Sequence, residues 1–283
     1  MKIVVLSGKG GTGKTTISTN LAINMQNAVL IDTDVEEPNS HIFLKPHIED
    51  TISVTKEYPR VTEQCILCGK CGDFCRYNAI LPGRNKVLIF KEMCHDCGGC
   101  QLVCPTNAIE YISRGIGNIY SGASEYGVNM KYGDLDVGEV SGVKIIEKLK
   151  ELVKDEEMVI IDAPPGTSCS TVAAATDADY AIIVSEPTPF GVSDMKMVVE
   201  MLRNMNIPFG VVVNKVGLGD EEIYRYCDEE NIEILQEIPF DREIAKLYAS
   251  GNILSNELQS YKEKFEAILK KIKYRNRNKS FIF

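Results

Sequence analysis

The chain has 283 residues, 44% of them apolar and 25% charged, enough for one large domain or for a large and a small one. Its net charge of −9 argues against a general nucleic-acid binder, and no apolar run approaches the ~18 residues that span a bilayer. The opening "MKIVVLSG" gives way to glycines too soon for a signal peptide, so a cytoplasmic protein is expected.

The first predicted element is a β-rich run at residues 2–6, followed by "SGKGGTGKTT" and a helical pattern from Thr15 to Met25. Gly8, Gly10, Gly11 and Gly13 let the backbone curl so that successive N–H groups face inwards. That makes an anion nest at the positive end of a helix. The G-x-x-x-x-G-K-T spacing sets Lys14 to neutralise the β- and γ-phosphates and Thr15 to ligate Mg²⁺, with Thr12 and Thr16 in the same loop. A second strand, 28–32, ends in "IDTD", which carries Asp32 and Asp34. A carboxylate placed after an apolar strand beside a phosphate loop can hold the metal's water shell, and a second can position the attacking water. His41, His47 and His95 have no ligand spacing and are expected to be surface or locally hydrogen-bonded residues.

From about 58 to 113 the pattern breaks. Eight of the ten cysteines lie here, in "CILCGKCGDFCRYNAI" (65–80) and "CHDCGGCQLVCPTNAI" (94–109), which match at a constant offset of 29 residues. Clustered cysteines in a cytoplasmic chain point to metal rather than disulfides. Each run reads C-x₂-C-x₂-C-x₃-C and resembles the bacterial two-cluster ferredoxins, whose fourth cysteine ligates the other cluster. The resemblance implies two [4Fe–4S] clusters, one on Cys65, Cys68, Cys71 and Cys104, the other on Cys94, Cys97, Cys100 and Cys75. Pro105 closes the second run as in those proteins, whereas Arg76 stands in the first. Zinc is the alternative, although it seldom needs eight thiolates in two duplicated runs.

Beyond the insert, strand signals at 158–164, 180–187, 208–215 and 232–239 alternate with helical stretches near 138–154, 168–177, 191–204, 219–230 and 241–248. Continuous apolar strands alternating with helices predict an α/β fold, a mostly parallel, doubly wound sheet that binds ligands at its carboxyl edge. "VIIDAPPGT" supplies a third strand-end carboxylate, Asp162. Cys169 is expected as a small core or switch residue and Cys227 as packing. Residues 256–272 read as a closing helix, and the basic "KYRNRNKSFIF" as a solvated end, with membrane or partner contact the lesser reading.

"KGGTGKTT", with a lysine the phosphate-loop spacing does not require, resembles the deviant Walker A motif of the MinD/ParA/Mrp ATPases, the class that includes the nitrogenase iron protein. "DTDVEEPN" is similar to their switch I, "DAPPGTS" to the Walker B and switch II of the Mrp branch. "SEPTPFGVSD", "VVNK" and "EIPFD" also resemble this family. The resemblance implies a P-loop NTPase fold in two parts, 1–57 and 114–283, around a small α+β ferredoxin-like insert at 58–113. It also implies an ATP-dependent homodimer in which Lys9 reaches the partner's phosphates. Asp34 would position the water, Asp32 and Asp162 would serve Mg²⁺, Gly166 would sense the γ-phosphate, and Asn214 and Pro239 would frame adenine.

Three functions follow. The first is an ATPase that couples hydrolysis to electron transfer with an unidentified protein donor or acceptor. The second is a metallocentre-assembly ATPase of the Mrp type, weakened because no C-x-x-C lies outside the insert. The third is a MinD/ParA-like positioning scaffold with a redox-sensing insert, against which the acidic charge and the cysteines argue.

Overall fold

The computed structural model describes the backbone of residues 1–279 and the side chains of residues 1–275. The first strand, β1 (Lys2–Leu6), runs through the phosphate loop into α1 (Lys14–Ile23), and β2 (Val29–Asp32) leads to the short α2 (Ser40–Leu44). A long strand β3 (His47–Val61) then carries the chain away and β6 (Ile109–Ala123) brings it back; between them lie α3 (Lys70–Phe74), the hairpin β4 (Ile80–Pro82) and β5 (Val87–Ile89), and α4 (Gly99–Leu102). After β7 (Asn129–Leu135) the alternation resumes with α5 (Val143–Glu151), β8 (Val159–Asp162), α6 (Cys169–Ala175), β9 (Tyr180–Ser185) and α7 (Pro189–Asn204). It closes with β10 (Phe209–Val216), α8 (Glu222–Glu229), β11 (Ile234–Pro239), α9 (Arg242–Ala249), α10 (Leu254–Glu257) and α11 (Gln259–Lys279).

The main sheet has the order β11-β10-β9-β1-β8-β2-β7-β6-β3. From β11 to β7 every neighbouring pair is parallel, while β6 is antiparallel to both β7 and β3. The parallel strands are Val/Ile runs buried on both faces, as a sheet with helices on each side requires. Helices α5 to α8 cover one face through residues such as Ile145, Val198 and Ile223. On the other, α1, α2, α10 and α11 contribute Ile17, Leu21, Phe43, Leu254, Phe265 and Ile268. The apolar face expected at 256–272 is thus buried, and α11 continues into the basic stretch from 273. Residues 280–283 of that stretch lie outside the described residues. Among the described residues no helix is long and apolar enough to cross a membrane.

The ribbon β3–β6 alters the expected organisation. Its strands pair from His47 with Ala123 up to Val61 with Ile109, yet β7 accompanies β6 only as far as Gly117. The remaining eight residues of β6, 109–116, extend ~27 Å beyond the carboxyl edge of the sheet. The boundaries expected at 58 and 113 fall inside this ribbon, and residues 62–108 are carried at its tip. The ribbon bends where its register shifts at Val54 and Thr55. Gly117, at φ 152°, lies there, and a Cβ on it would stand 2.2 Å from the Asp134 carbonyl. Only glycine lets β6 lie this close to β7.

Just past the bend one carboxylate clamps both strands. Lys56 and Arg114 are register partners, and both reach Glu139 from the loop after β7. The Lys56 Nζ lies 3.1 Å from Glu139 Oε2, to which Arg114 Nη2 donates at 2.8 Å. Burial would raise the Glu139 carboxyl, but the bonds from Arg114 and Lys56 hold it below the usual range. A second pin joins Lys144 of α5 to Asp96 in the second cysteine run, and Asp96 also accepts from the Glu57 N–H at 3.1 Å.

Candidate functional site

The phosphate loop leaves β1 at Ser7, and α1 begins at Lys14 with no side chain capping it. The first N–H groups of that helix therefore face outwards for an anion, beside the predicted loop residues Gly8, Gly10, Gly11, Thr12, Gly13, Thr15 and Thr16. Thr12 is buried, and its Oγ1 has no partner within the protein. A buried hydroxyl left unsatisfied in a turn of free N–H groups fits a bound phosphate. Gly13 takes a left-handed φ of 95°, and a Cβ there would meet the Asn214 amide nitrogen at 2.3 Å. That amide donates to the Thr12 carbonyl at 2.7 Å, tying the end of β10 to the loop.

Strand register brings the three predicted carboxylates together. In the sheet Asp32 lies opposite Asp162, and both are wholly buried. The Lys14 ammonium is 3.5 Å from Asp162 Oδ1 and 3.8 Å from Asp34 Oδ2. Burial alone would push Lys14 down, but Asp162, Asp34 and Asp32 outweigh it and hold the ammonium above its ordinary range. Burial and then the Asp162 charge push Asp32 well up, while Asp32 Oδ2 accepts from the N–H groups of Asn39 and Ser40. Asp34 is pushed up to about 6, chiefly by burial and against the pull of Lys14. Three acidic side chains around one lysine leave negative charge that a divalent cation would neutralise, so the donor set fits Mg²⁺.

Gly166 takes a left-handed φ of 83° and donates its N–H to the Ser7 carbonyl at 2.8 Å, which draws the segment after β8 against the phosphate loop. Beside the loop lies a cavity of about 260 Å³, bounded by Gly13, Thr16, Asn214, Pro239 and Tyr248. Asn214 and Pro239, expected together, share its wall. The Lys9 ammonium lies 3.1 Å from Glu186 Oε2.

At the ribbon tip the duplication is visible in the backbone. Leu67 and Asp96 both have φ 53°, as do Asn78 and Asn107, and Gly69 and Gly98 are left-handed in step. The eight thiols sort into two sets. Cys75, Cys94, Cys97 and Cys100 line a cavity of about 480 Å³ over Pro59 and Tyr111; Cys65, Cys68, Cys71 and Cys104 line a second over Val61 and Ile109. N–H groups of Asp96 and Ala108 point at Cys94 and Cys104 Sγ, at 3.4 and 3.2 Å. Burial raises the thiols of Cys71, Cys94 and Cys100; at Cys104 the same effect is outweighed by the surrounding N–H groups, which pull it down. Among the described residues no three His, Cys, Asp or Glu side chains converge on a single-ion site. The Cys75, Cys94, Cys97 and Cys100 quartet surrounds open space, whereas the cavity of the other quartet is only about 20 Å³; four sulfur donors around one cavity fit a cluster whose irons take one thiolate each.

Residues 3–254 match the model of the CbiA family, the CobQ/CobB/MinD/ParA nucleotide-binding domain. The chain belongs to this family. An uncharacterized protein of Methanocaldococcus jannaschii is 35% identical to it over 279 residues, 96% of each chain. An iron–sulfur cluster carrier protein of the same organism is 28% identical, covering 96% of this chain and 83% of that one. Among solved structures, the septum site-determining protein MinD of Pyrococcus horikoshii, complexed with Mg-ADP, aligns at a TM-score of 0.60 and 19% identity, over 96% and 95% of the two chains. That likeness establishes a MinD-like P-loop NTPase fold with a mostly parallel α/β sheet.

On this MinD/ParA-type domain several neighbours of the motifs carry geometry that the sequence left unread. Ser40 Oγ donates to Asp162 Oδ2 at 2.9 Å, and Thr33 Oγ1 to the Asp162 carbonyl at 2.8 Å. Ser40 is the eighth residue after Asp32, with no motif to mark it; only the pairing of β2 with β8 brings it to Asp162. Two expectations are refined. Of the two readings given to Cys169, core or switch residue, the core one does not hold: it is exposed at the start of α6, which turns Thr171, Ala174 and Ala175 inwards instead. His41 is more than a surface residue: it stacks on Tyr132 at 4.8 Å with a buried, unpartnered Nδ1, and burial lowers its pKa. Cys227 is buried in α8, its thiol pushed up to about 11 by burial.

Proposed function

We propose that this chain is an ATP-hydrolysing, nucleotide-switched homodimer that couples ATP to electron transfer through two [4Fe–4S] clusters. The observation that carries the proposal is the sorting of eight cysteines into two crossed quartets, on a ribbon clamped to a MinD/ParA-type domain. Cys65, Cys68, Cys71 and Cys104 would hold one cluster; Cys75, Cys94, Cys97 and Cys100 would hold the other. When bound, such clusters accept and release single electrons. The two quartets lie over ribbon positions two residues apart, Pro59 and Val61, ~7 Å along the strand, so the reading places them within electron-hopping reach.

In the nucleotide site Lys14 and the α1 N–H groups bind and orient the phosphates. Thr15, Asp32 and Asp162 would serve Mg²⁺. Asp34 orients the attacking water, Gly166 follows the γ-phosphate from the loop after β8, and Asn214 and Pro239 frame the base. Lys9 completes the site of a second copy. The ribbon links the two regions: β6 pairs with β7, β7 with β2, and β2 ends in Asp32. A change around Asp32 and Asp34 therefore reaches the ribbon base through two strand pairings.

The test is an anaerobic redox titration followed by EPR, with and without a non-hydrolysable Mg–ATP analogue. The expected result is a shift of ~59 mV in at least one cluster, equivalent to ~1.4 kcal/mol of coupling, and its loss in Lys9→Ala. Unchanged potentials with clusters and nucleotide both bound would sink the coupling. The likeness to iron–sulfur cluster carrier proteins supports a second reading, delivery of a cluster to a metallocentre target. Transfer of iron and sulfide to an apo-acceptor under ATP would favour that reading; full retention would favour electron transfer.

A further inference from the structure

Glu186 follows β9, which lies next to β1, so its carboxylate stands beside the phosphate loop. The residue is 9% exposed and holds two lysines at once. Oε2 is 3.1 Å from Lys9 Nζ, and Oε1 accepts from Lys215 Nζ. Lys215 also donates to the Gly11 carbonyl at 2.8 Å. Its φ of 58° is left-handed, a conformation that costs a lysine energy and persists where the surroundings over-determine it. Burial would raise the Glu186 carboxyl, but Lys215 and Lys9 overcome this and hold it below its usual range, so it is anionic at neutral pH.

On the reading given above, Lys9 serves the phosphates of a second copy. In the single chain the same ammonium is held by a carboxylate of its own chain. We propose that Glu186 is a positioning residue that keeps Lys9 on its own chain until a nucleotide-bound second copy competes for it, with Lys215 fixing Glu186 in place. The double pairing makes the exchange cheap. A buried carboxylate stripped of its only cation is left uncompensated, which is costly. Glu186 keeps Lys215 after Lys9 leaves, so no such penalty arises. A triphosphate, carrying more charge than one carboxylate, then wins the lysine. Without nucleotide nothing outbids Glu186, and Lys9 stays home.

The experiment measures dimerisation of the cluster-loaded chain by analytical ultracentrifugation, with a non-hydrolysable Mg–ATP analogue and without nucleotide. The variants are Glu186→Gln, Glu186→Ala, Lys9→Ala and the double variant Lys9→Ala with Glu186→Gln. Binding of the analogue to the monomer is followed in parallel as proof that each variant is folded. The expected result is nucleotide-dependent dimerisation about tenfold tighter in both Glu186 variants, ~1.4 kcal/mol, with no such gain when Lys9 is absent. If Lys9→Ala abolishes the dimer while the Glu186 variants match the parent or dimerise more weakly, the holding role is overturned and the dimer reading stands. A gain that persists without Lys9 overturns the holding role as well. If Lys9→Ala dimerises like the parent, the dimer reading itself fails and this inference falls with it.

Discussion

Around the phosphate loop, side chains are aimed by strands buried on both faces: Ile3 to Leu6, Ile160 and Ile161 are wholly shielded and packed by helices on each side. At the ribbon tip the buried cluster is Ile80, Cys100 and Ile109, with Ala79, Cys94 and Ala108 also shielded, while Ile66, Phe74, Leu88 and Leu102 lie exposed. One region has a core sufficient to hold its charged side chains in place before any ligand arrives. The other, 62–108, has almost no apolar interior, and units this small are usually stabilised by metal or cross-links. The difference teaches that the nucleotide site is pre-formed by the fold, whereas the cysteine segment leans on the clamp at Glu139 and, on the function proposed above, on the clusters its thiols would hold.

The sharpest way to break that comparison is to remove a ligand from each region. Replacing Cys100 by serine should cost about half the iron and abolish hydrogen-exchange protection across 62–108, with the sheet unaffected. Iron analysis with exchange mass spectrometry checks this, and a tip that stays protected without its metal would refute the contrast. Lys14→Ala should lower ATP hydrolysis on the order of a hundredfold or more and leave the visible absorption of the proposed clusters unchanged. A joint loss of both signals would mean the regions fold as one unit.

A smaller effect sharpens the boundary between them. Glu139→Gln removes the shared anion of Lys56 and Arg114, both largely buried with it. Breaking such a pair costs about 3 kcal/mol, expressed locally as faster exchange at 54–61 and 109–117 with the α7 and β9 amides unchanged. The smallest effect concerns pH. Asp34 is raised to about 6 from an ordinary 3.8, so between those values the folded chain holds a proton that the unfolded chain has released. Its contribution therefore favours the fold as pH falls from 7 towards 4 and disfavours it as pH rises through the same window. Thermal melts of the nucleotide-free chain, compared with Asp34→Asn, should show that component vanish in the variant. His41 and His95, with lowered values, act oppositely in the same window but are common to both proteins and cancel.

Wherever the physics is local, the sequence was readable. The anion nest of Gly8 to Thr16 follows from glycine freedom and the start of a helix, and the parallel strands are continuous Val/Ile runs. The ribbon was not legible. In β3 only Val54, Lys56 and Pro59 are fully buried, and β6 is broken by Gly115, Gly117 and Gly122, so neither presents an apolar run or a strict alternation. β7, "NMKYGDL", is marked no better; each of the three becomes a strand because its neighbour offers hydrogen-bonding partners in register.

By itself, then, the sequence determined the residue types at short spacing: a lysine and threonine after four glycines, carboxylates at strand ends, and two duplicated runs of four cysteines. Those features act over a few residues, where backbone geometry alone fixes what can meet. Tertiary structure decided everything that depends on strand order. It set Asp32 beside Asp162, Lys9 against Glu186, and Lys56 and Arg114 on Glu139. Such meetings join residues tens to hundreds of positions apart, and their energy depends on burial and register that no local pattern encodes.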